Sequence, residues 1–334
     1  MADSNHQIQQ TQKLIPQILA IGHPSFFKFF SSQYIKNYNF INPWGSPLPL
    51  DQFLTTHNTE PSAIRAIVCT GIHPVTTDVL RLLPSVELVV STTAGLDHID
   101  LIECRRRSIQ VSGVGGLYSE DVADMGVGLL IDVMRKISAG DRYVTERVKS
   151  GPWHFSFGSK LGGKRVGIVG LGRIGLEVAK RLEAFGCIIL YHSKKEKQFV
   201  SYPFYSNVVE LAAKSNALVI CCALTEQTLH LINKEVMLAL GKEGILVNIG
   251  RGALIDENEM VRCLMEGEIG GAGLDVFENE PHVPKELVAL DNVVLSPHAS
   301  VFTSESEMAL SDLVAENLEA FFSNKPLITP VRDN

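Results

Sequence analysis

Three features of this 334-residue sequence predict an α/β protein with two doubly wound parallel sheets. Short β-rich apolar runs alternate with helix-patterned segments along most of the chain. The length suits about two domains at roughly 150 residues each. Hydrophobic residues at 45% against charged residues at 20% fit a soluble globular chain rather than a disordered one.

The first thirteen residues, Met1–Lys13, are polar and rich in Gln. They have neither the apolar core of a secretory signal nor the Arg-rich pattern of a transit peptide. The chain ends Val331-Arg332-Asp333-Asn334, which is not a peroxisomal address, and no stretch approaches about 18 uninterrupted apolar residues. A cytoplasmic protein is expected. Lys and Arg total 30 against 37 Asp and Glu, a formal net charge of −7. With that balance and no long basic run, nucleic acid and anionic membranes are poor partners.

The first strand-like runs are Gln17–Ile21, closed by Gly22, then Ala66–Val68, Leu88–Val90 and Gln110–Val111. Next, Ser119–Ser138 reads as a helix apolar over most of its circumference through Val122, Met125, Val127, Leu129, Leu130, Val133 and Met134. Ser119-Glu120-Asp121 is expected to supply its cap and acidic first turn. This helix should connect two bodies. Tyr143–Lys160, with Pro152, Trp153, Phe155 and Phe157 among glycines, reads as an extended arm whose aromatics suit a subunit interface.

A second, regular series begins at Lys164. Its strand-like runs are Arg165–Val169, Cys187–Tyr191, Ala217–Cys221, Gly244–Asn248, Gly271–Leu274 and Val293–Leu295. Helical segments such as Arg173–Phe185, Lys234–Ala239 and Asp256–Gly267 lie between them. A last helix should start near Ser304, where Ser304-Glu305-Ser306-Glu307 fits a capping box, run to Phe322 and pack on the first domain. The expected division is therefore a discontinuous substrate domain, 1–113 plus 300–334, and a dinucleotide domain, 114–299, with a cleft between them. The arm 139–160 is assigned to dimerisation.

Cys69, Cys104, Cys187, Cys221, Cys222 and Cys263 form no CxxC pair and no zinc-spaced cluster, so no metal site is expected. Most stand in or beside apolar runs, as buried, inert thiols do.

The sharpest motif is Gly170-Leu-Gly172-Arg-Ile-Gly175, which follows one strand directly, opens a helix and precedes a second strand. Gly170 permits the tight turn, Gly172 lets the backbone approach a diphosphate, and Gly175 lets helix and strand lie close. The free N–H groups of Arg173 and Ile174 would receive the diphosphate. An NAD site normally has Asp or Glu at the end of the second strand. Here Tyr191-His192-Ser193-Lys194-Lys195-Glu196 puts a hydroxyl and two ammonium groups there. That suits a 2′-phosphate, so NADPH is expected over NADH. The competing reading is a solvated basic turn with Glu196 reaching back to the ribose.

Three more segments stand at strand ends, where open α/β sheets bind ligands. Asn248-Ile249-Gly250-Arg251-Gly252 sets a guanidinium among glycines, well placed to clamp a carboxylate. Gly273-Leu274-Asp275-Val276-Phe277-Glu278-Asn279-Glu280-Pro281 gathers acids, and Ser296-Pro297-His298-Ala299-Ser300 brings one histidine. Alone, His298 could equally be a satisfied core histidine and the acids a solvated loop. Together with a dinucleotide they supply a cation for a carboxylate, a proton donor for a carbonyl oxygen and an anion to hold the donor.

From about Ala66 to Ser304 the sequence resembles the D-isomer-specific 2-hydroxyacid dehydrogenases, in particular their glyoxylate/hydroxypyruvate and hydroxyphenylpyruvate reductase branch. The motifs that carry the resemblance are Gly170–Gly175, Asn248–Asp256, Gly273–Pro281 and Ser296–His298. It implies two Rossmann or flavodoxin-like domains, with His298 as proton donor, Glu280 as its carboxylate partner and Arg251 as the substrate clamp. It also implies that Asp275 orients the nicotinamide carboxamide and that Ala223 and Ile249 line the cofactor cleft through backbone. In relatives the backbone N–H groups at the positions of Ala94 and Gly95 receive the substrate carboxylate; a small-residue turn after a strand can do this.

Two positions depart from the family pattern. Ser300 stands where Gly or Ala is common, and Ser112–Gly116 replaces an Asn-x-Pro-like hinge. The expected reaction is reduction of a small 2-keto acid such as glyoxylate or hydroxypyruvate, with hydroxyphenylpyruvate as the alternative substrate. Thr70–His73 and Val301–Phe302 are expected to line the side-chain pocket, and Trp153 to reach a dimer partner's site. A dinucleotide-sensing corepressor, as some relatives are, is the rival from another class. A phosphoglycerate dehydrogenase would need a regulatory domain after His298.

Overall fold

The computed structural model describes residues 15–22, 37–71, 73–147 and 155–332. The chain forms two compact units, residues 1–115 with 307–334, and residues 116–306.

In the first unit, β1 (Gln17–Ile21), β2 (Asn39–Ile41), β3 (Ile64–Cys69), β4 (Leu88–Ser91) and β5 (Gln110–Ser112) form one parallel sheet in the order β2-β1-β3-β4-β5. Helices α1 (Leu50–Thr56), α2 (Thr77–Leu82) and α3 (Leu101–Arg106) connect the strands. Thr76 and Asp100 start α2 and α3 by accepting from the N–H of Val79 and Glu103. The central strands β3 and β4 are almost wholly buried, which is why they read as continuous apolar runs. Strand β2 escaped the sequence reading because it is a three-residue edge with its first residue exposed, so it has no apolar run to show. The order reverses between β1 and β3, where such a sheet opens a crevice at its carboxyl ends.

In the second unit, β6 (Arg165–Val169), β7 (Ile188–His192), β8 (Ala217–Ile220), β9 (Ile245–Asn248), β10 (Gly271–Leu274) and β11 (Val293–Leu295) form a parallel sheet in the order β7-β6-β8-β9-β10-β11. Its helices are α4 (Ser119–Arg135), α5 (Ile137–Arg142), α6 (Arg173–Ala184), α7 (Val208–Lys214), α8 (Lys234–Leu240), α9 (Glu257–Met265) and α10 (Lys285–Val288). The order reverses between β6 and β8, so the crevice lies at Gly170 and Cys221–Ala223.

Helix α4 packs its small residues on this sheet. A Cβ on Gly126 would lie 2.7 Å from Ile249, and one on Gly273 would lie 3.0 Å from Leu129. Three local expectations are corrected by the structure. Ser119 does not cap α4: Tyr118 is the N-cap and no side chain caps the helix. Asp121 instead accepts from the hydroxyls of Thr303 (3.2 Å) and Ser306. The helix also stops short of Ser138, because Lys136 turns left-handed (φ 57°) and the Asp132 carboxylate accepts from Ser138. The arm is not extended at its start, since Tyr143–Arg147 is a π-helical turn continuing α5. Pro152 and Trp153 lie outside the described residues.

The last helix, α11 (Ser304–Phe322), has the expected bounds. Its cap is Thr303, one residue earlier than predicted, whose Oγ1 accepts from the Ser306 N–H at 3.1 Å. The residues from Glu307 onward belong to the first unit. There the fully buried Asn317 accepts from the N–H groups of Ile328 and Thr329 and ties down the chain end beside β5. Cys69, Cys104, Cys187 and Cys263 are buried, and burial pushes the thiols up, to about 12 at Cys69 and about 11 at Cys104. Such thiols are inert.

Candidate active site

Every residue of the predicted cofactor and catalytic sets lies in the second unit, along the carboxyl ends of its strands. The glycine turn leads. Gly170 has φ +101°, and a Cβ there would meet the backbone of Cys222 at 2.6 Å, so the turn is pressed against the loop after β8. A Cβ on Gly175 would lie 2.3 Å from the carbonyl oxygen of Gly170. At Gly172 nothing of the protein lies within 4 Å of a Cβ. Gly172 is the N-cap of α6, and no side chain caps that helix. Open space at a glycine beside uncapped N–H groups of Arg173 and Ile174 is what a diphosphate needs, so these residues fit a dinucleotide.

At the end of β7, Ser193 is half-buried and its hydroxyl donates to the Lys195 carbonyl at 2.5 Å. Its hydrogen is therefore used inside the turn. Lys194, Lys195 and Glu196 are exposed. Ala223 is exposed, with its carbonyl accepting from Thr228 at 2.8 Å. Ile249 is buried, its N–H bonded to Ile220 and its side chain against Gly126, so it contributes to packing as much as to the crevice.

The loop after β9 is folded by Asn248, which is fully buried. Its amide donates to the Arg251 carbonyl (2.8 Å) and its Oδ1 accepts from the Gly250 N–H (3.1 Å). These two bonds pin the turn Ile249–Arg251 to Asn248. The Arg251 guanidinium donates to the Gly250 carbonyl at 2.9 Å. Gly252 then touches the next loop so closely that a Cβ would lie 1.8 Å from the carbonyl carbon of Phe277. Only glycine lets the arginine loop and the acidic loop meet.

Within the acidic loop, Glu280 divides its two oxygens. Oε1 accepts from the Phe277 N–H (3.0 Å) and Oε2 faces His298 Nδ1 at 2.8 Å. A carboxylate only accepts, so Nδ1 carries hydrogen and Nε2 is the ring's outward nitrogen. Burial pushes the Glu280 carboxyl up. The His298 bond, the Phe277 N–H and the nearby charges of His298 and Arg251 outweigh that and hold it below the ordinary value. Arg251, Glu280 and His298 thus form one electrostatic group, and the His298 side chain remains 45% exposed.

His298 adopts a left-handed backbone, φ +54°. For a non-glycine residue that costs roughly 1–2 kcal/mol. Asp275, 1% exposed, opposes the cost. Its carbonyl accepts from the His298 N–H (2.7 Å), and its carboxylate accepts from the N–H groups of Ala299 (2.9 Å) and Ser300 (3.2 Å) and from the Ser300 hydroxyl.

Sequence reasoning missed a second histidine–carboxylate pair behind this loop. His230 Nε2 lies 2.7 Å from Glu278, whose N–H donates to the buried Glu257 at 3.1 Å. No spacing in the sequence links these three residues. In the first unit, Ala94 and Gly95 follow β4, and Thr93 Oγ1 donates to the Gly95 carbonyl at 2.8 Å. Thr70 is buried, with its hydroxyl unpartnered, and Phe302 is exposed; Ile72 lies outside the described residues.

Comparison with known proteins identifies the family. Residues 127–300 match the family model described as D-isomer specific 2-hydroxyacid dehydrogenase, NAD binding domain. A glyoxylate/hydroxypyruvate reductase of Arabidopsis thaliana is 49% identical over 95% of this chain and 98% of its own. A hydroxyphenylpyruvate reductase of Plectranthus scutellarioides is 45% identical over 91% of this chain and 95% of its own. Among solved structures, the NADPH-dependent glyoxylate/hydroxypyruvate reductase of Sinorhizobium meliloti, in complex with NADP and malonate, superposes with a TM-score of 0.84. It is 32% identical, covering 95% of this chain and 97% of that one. The chain belongs to the D-isomer specific 2-hydroxyacid dehydrogenase family. It is an NAD(P)-dependent oxidoreductase. Among the described residues no helix is long and apolar enough to cross a membrane.

Proposed function

We propose that the protein reduces small 2-keto acids, glyoxylate and hydroxypyruvate foremost, to D-2-hydroxy acids with NADPH as the preferred reductant. The observation that carries this reading is the His298–Glu280 contact at 2.8 Å with the Arg251 guanidinium in the same electrostatic group. The dinucleotide would be held by Gly170, Gly172, Arg173, Ile174 and Gly175, with Lys194 and Lys195 toward a 2′-phosphate and Ser193 shaping the turn that presents them. Ala223, Ile249 and Asp275 would flank its nicotinamide end. The preference for NADPH rests on the two lysines and on the absence of a carboxylate at the end of β7.

The chemistry a reduced nicotinamide nucleotide supplies when bound is a hydride for the carbonyl carbon of the keto acid. Arg251 binds the substrate carboxylate through charge-assisted hydrogen bonds and orients the carbonyl. The Ala94 and Gly95 N–H groups are included in the proposal as further donors to that carboxylate. His298, protonated on both nitrogens, gives the Nε2 proton to the carbonyl oxygen as the C–O double bond becomes a single bond. It is left as the neutral ring, with Nδ1–H still on Glu280. Glu280 accepts from Nδ1–H and fixes the orientation of the ring throughout.

Steady-state kinetics with glyoxylate, hydroxypyruvate and 4-hydroxyphenylpyruvate, each with NADPH and NADH, tests the assignment. The expected result is the highest kcat/KM for a small acid with NADPH. Parity between the cofactors removes the cofactor preference, and near-normal turnover by His298→Ala removes the mechanism. The 45% identical hydroxyphenylpyruvate reductase favours the aromatic acid as second candidate.

A homodimer formed through residues 139–160 is also part of the proposal. Val144 and Phe157 are exposed, the latter fully, and Phe155 packs on Tyr143. Light scattering of Phe157→Glu should report monomer. The proposed compartment is the cytoplasm, which localisation of the tagged chain would check.

A further inference from the structure

We infer that Ser300 is a positioning residue of the reaction: through the buried carboxylate of Asp275, its hydroxyl holds the left-handed turn that aims His298 at Glu280. The inference rests on the reading of His298 as the proton donor.

The turn 298–300 is a strained segment gripped from one side. Its first residue has φ +54°, a conformation an L side chain adopts only under constraint. The constraint is Asp275, which meets the turn at four points. The backbone carbonyl takes the His298 N–H, Oδ1 takes the Ala299 N–H, and Oδ2 takes both the N–H and the O–H of Ser300. Both residues are buried, Asp275 at 1% and Ser300 at 6% exposure. No cation is among these contacts, so the burial of the carboxylate is compensated by the turn itself, and each donor matters. Glycine or alanine at position 300 would leave Oδ2 one donor short. The serine hydroxyl is therefore bonded to the group that shapes the backbone under the acid, one residue beyond the range of the imidazole's own contacts.

The groups that face His298 are Glu280 at Nδ1 and Asp275 at its backbone N–H. Arg251 and Glu257 act on it through Glu280. Removing the Ser300 hydroxyl changes the charge of none of them. What it changes is the fraction of time the ring sits on Glu280. The loss should thus fall on proton donation and not on binding.

The experiment compares wild type with Ser300→Ala and Ser300→Gly, measuring kcat and both KM values. It adds the NMR line shape of the 13C-labelled His298 ring in the cofactor-free protein. The expected result is a fall in kcat of about three- to tenfold in both variants, from the loss of one charge-assisted bond on a strained turn. Both KM values should stay within about twofold, and the ring signal should broaden. Unchanged kcat and line shape overturn the inference. So does a raised cofactor KM at unchanged kcat, which would make Ser300 a cofactor contact. His298→Ala keeps the two failures apart, because loss of turnover there with no effect at position 300 sinks only this inference. Survival of turnover there sinks the mechanism beneath it. If alanine yields no folded protein, glycine supplies the same comparison, and the ring signal is read without turnover.

Discussion

Replacing Gly252 by alanine should damage stability and catalysis together, because one atom is driven between two loops that both bear chemistry. A Cβ at this position would stand 1.8 Å from the carbonyl carbon of Phe277, 2.0 Å from its oxygen and 2.2 Å from the Glu278 nitrogen. Carbon atoms in contact normally sit about 3.5–4.0 Å apart, so the two backbones must part by roughly 1.5 Å or more. None of the three atoms is the end of a flexible side chain, so nothing can swing aside. Overpacking typically costs about 1–3 kcal/mol, and a backbone-on-backbone clash belongs at the upper end. For the second unit, residues 116–306, about 3 kcal/mol corresponds to a fall in melting temperature of about 6–12 °C. One of the displaced loops carries Arg251 and the other carries Glu280. A shift of about 1 Å in such a constellation costs on the order of a hundredfold in rate. Thermal unfolding followed by circular dichroism and steady-state reduction of hydroxypyruvate measure the two effects. A Gly252→Ala protein with wild-type melting temperature and wild-type kcat/KM would refute the claim that this contact sets the spacing of the site.

Gly172→Ala makes the opposite prediction. Its Cβ meets no protein atom and its φ is −89°, so stability should hold or rise by about 0.4–1 kcal/mol, while dinucleotide affinity by fluorescence titration falls. Retained tight binding would move the diphosphate off this turn. Charge reversal at Lys194 and Lys195 should raise the KM for NADPH and leave that for NADH nearly unchanged; an equal effect on both would discount the basic turn. The Glu280 carboxyl is held below its ordinary 4.5, so its stabilising contribution is complete above that value and is lost as pH falls through the lower folded one. Glu280→Gln should therefore flatten the acid limb of stability, which urea titrations from pH 3 to pH 7 would detect. Glu257 is the reverse case, pushed up chiefly by burial and further by the charges of Glu278 and Glu280. Its ionisation costs stability once pH exceeds the ordinary 4.5, so Glu257→Gln should gain stability at neutral pH and none in acid.

The sequence by itself determined several strand bounds, because a largely covered parallel strand reads as a short apolar run between polar breaks. Arg165–Val169, Gly271–Leu274 and Val293–Leu295 have the bounds read from the chain. It also determined the family, since the glycine turn and the Arg, acid and His segments each carry a local pattern. Edge strand β2, the Thr303 cap and the π-helical start of the arm were invisible there. Each is selected by which neighbour a short segment finds, and composition does not record that. Tertiary structure alone decided the contacts between segments distant in the chain. Gly252 against Phe277, Ser300 on Asp275 and His230 on Glu278 all join residues separated by at least one strand or loop. Periodicity reports only which face of its own element a residue takes. Which oxygen a hydroxyl will meet across a strand end follows from how the elements dock, and docking is a property of the packed sheet.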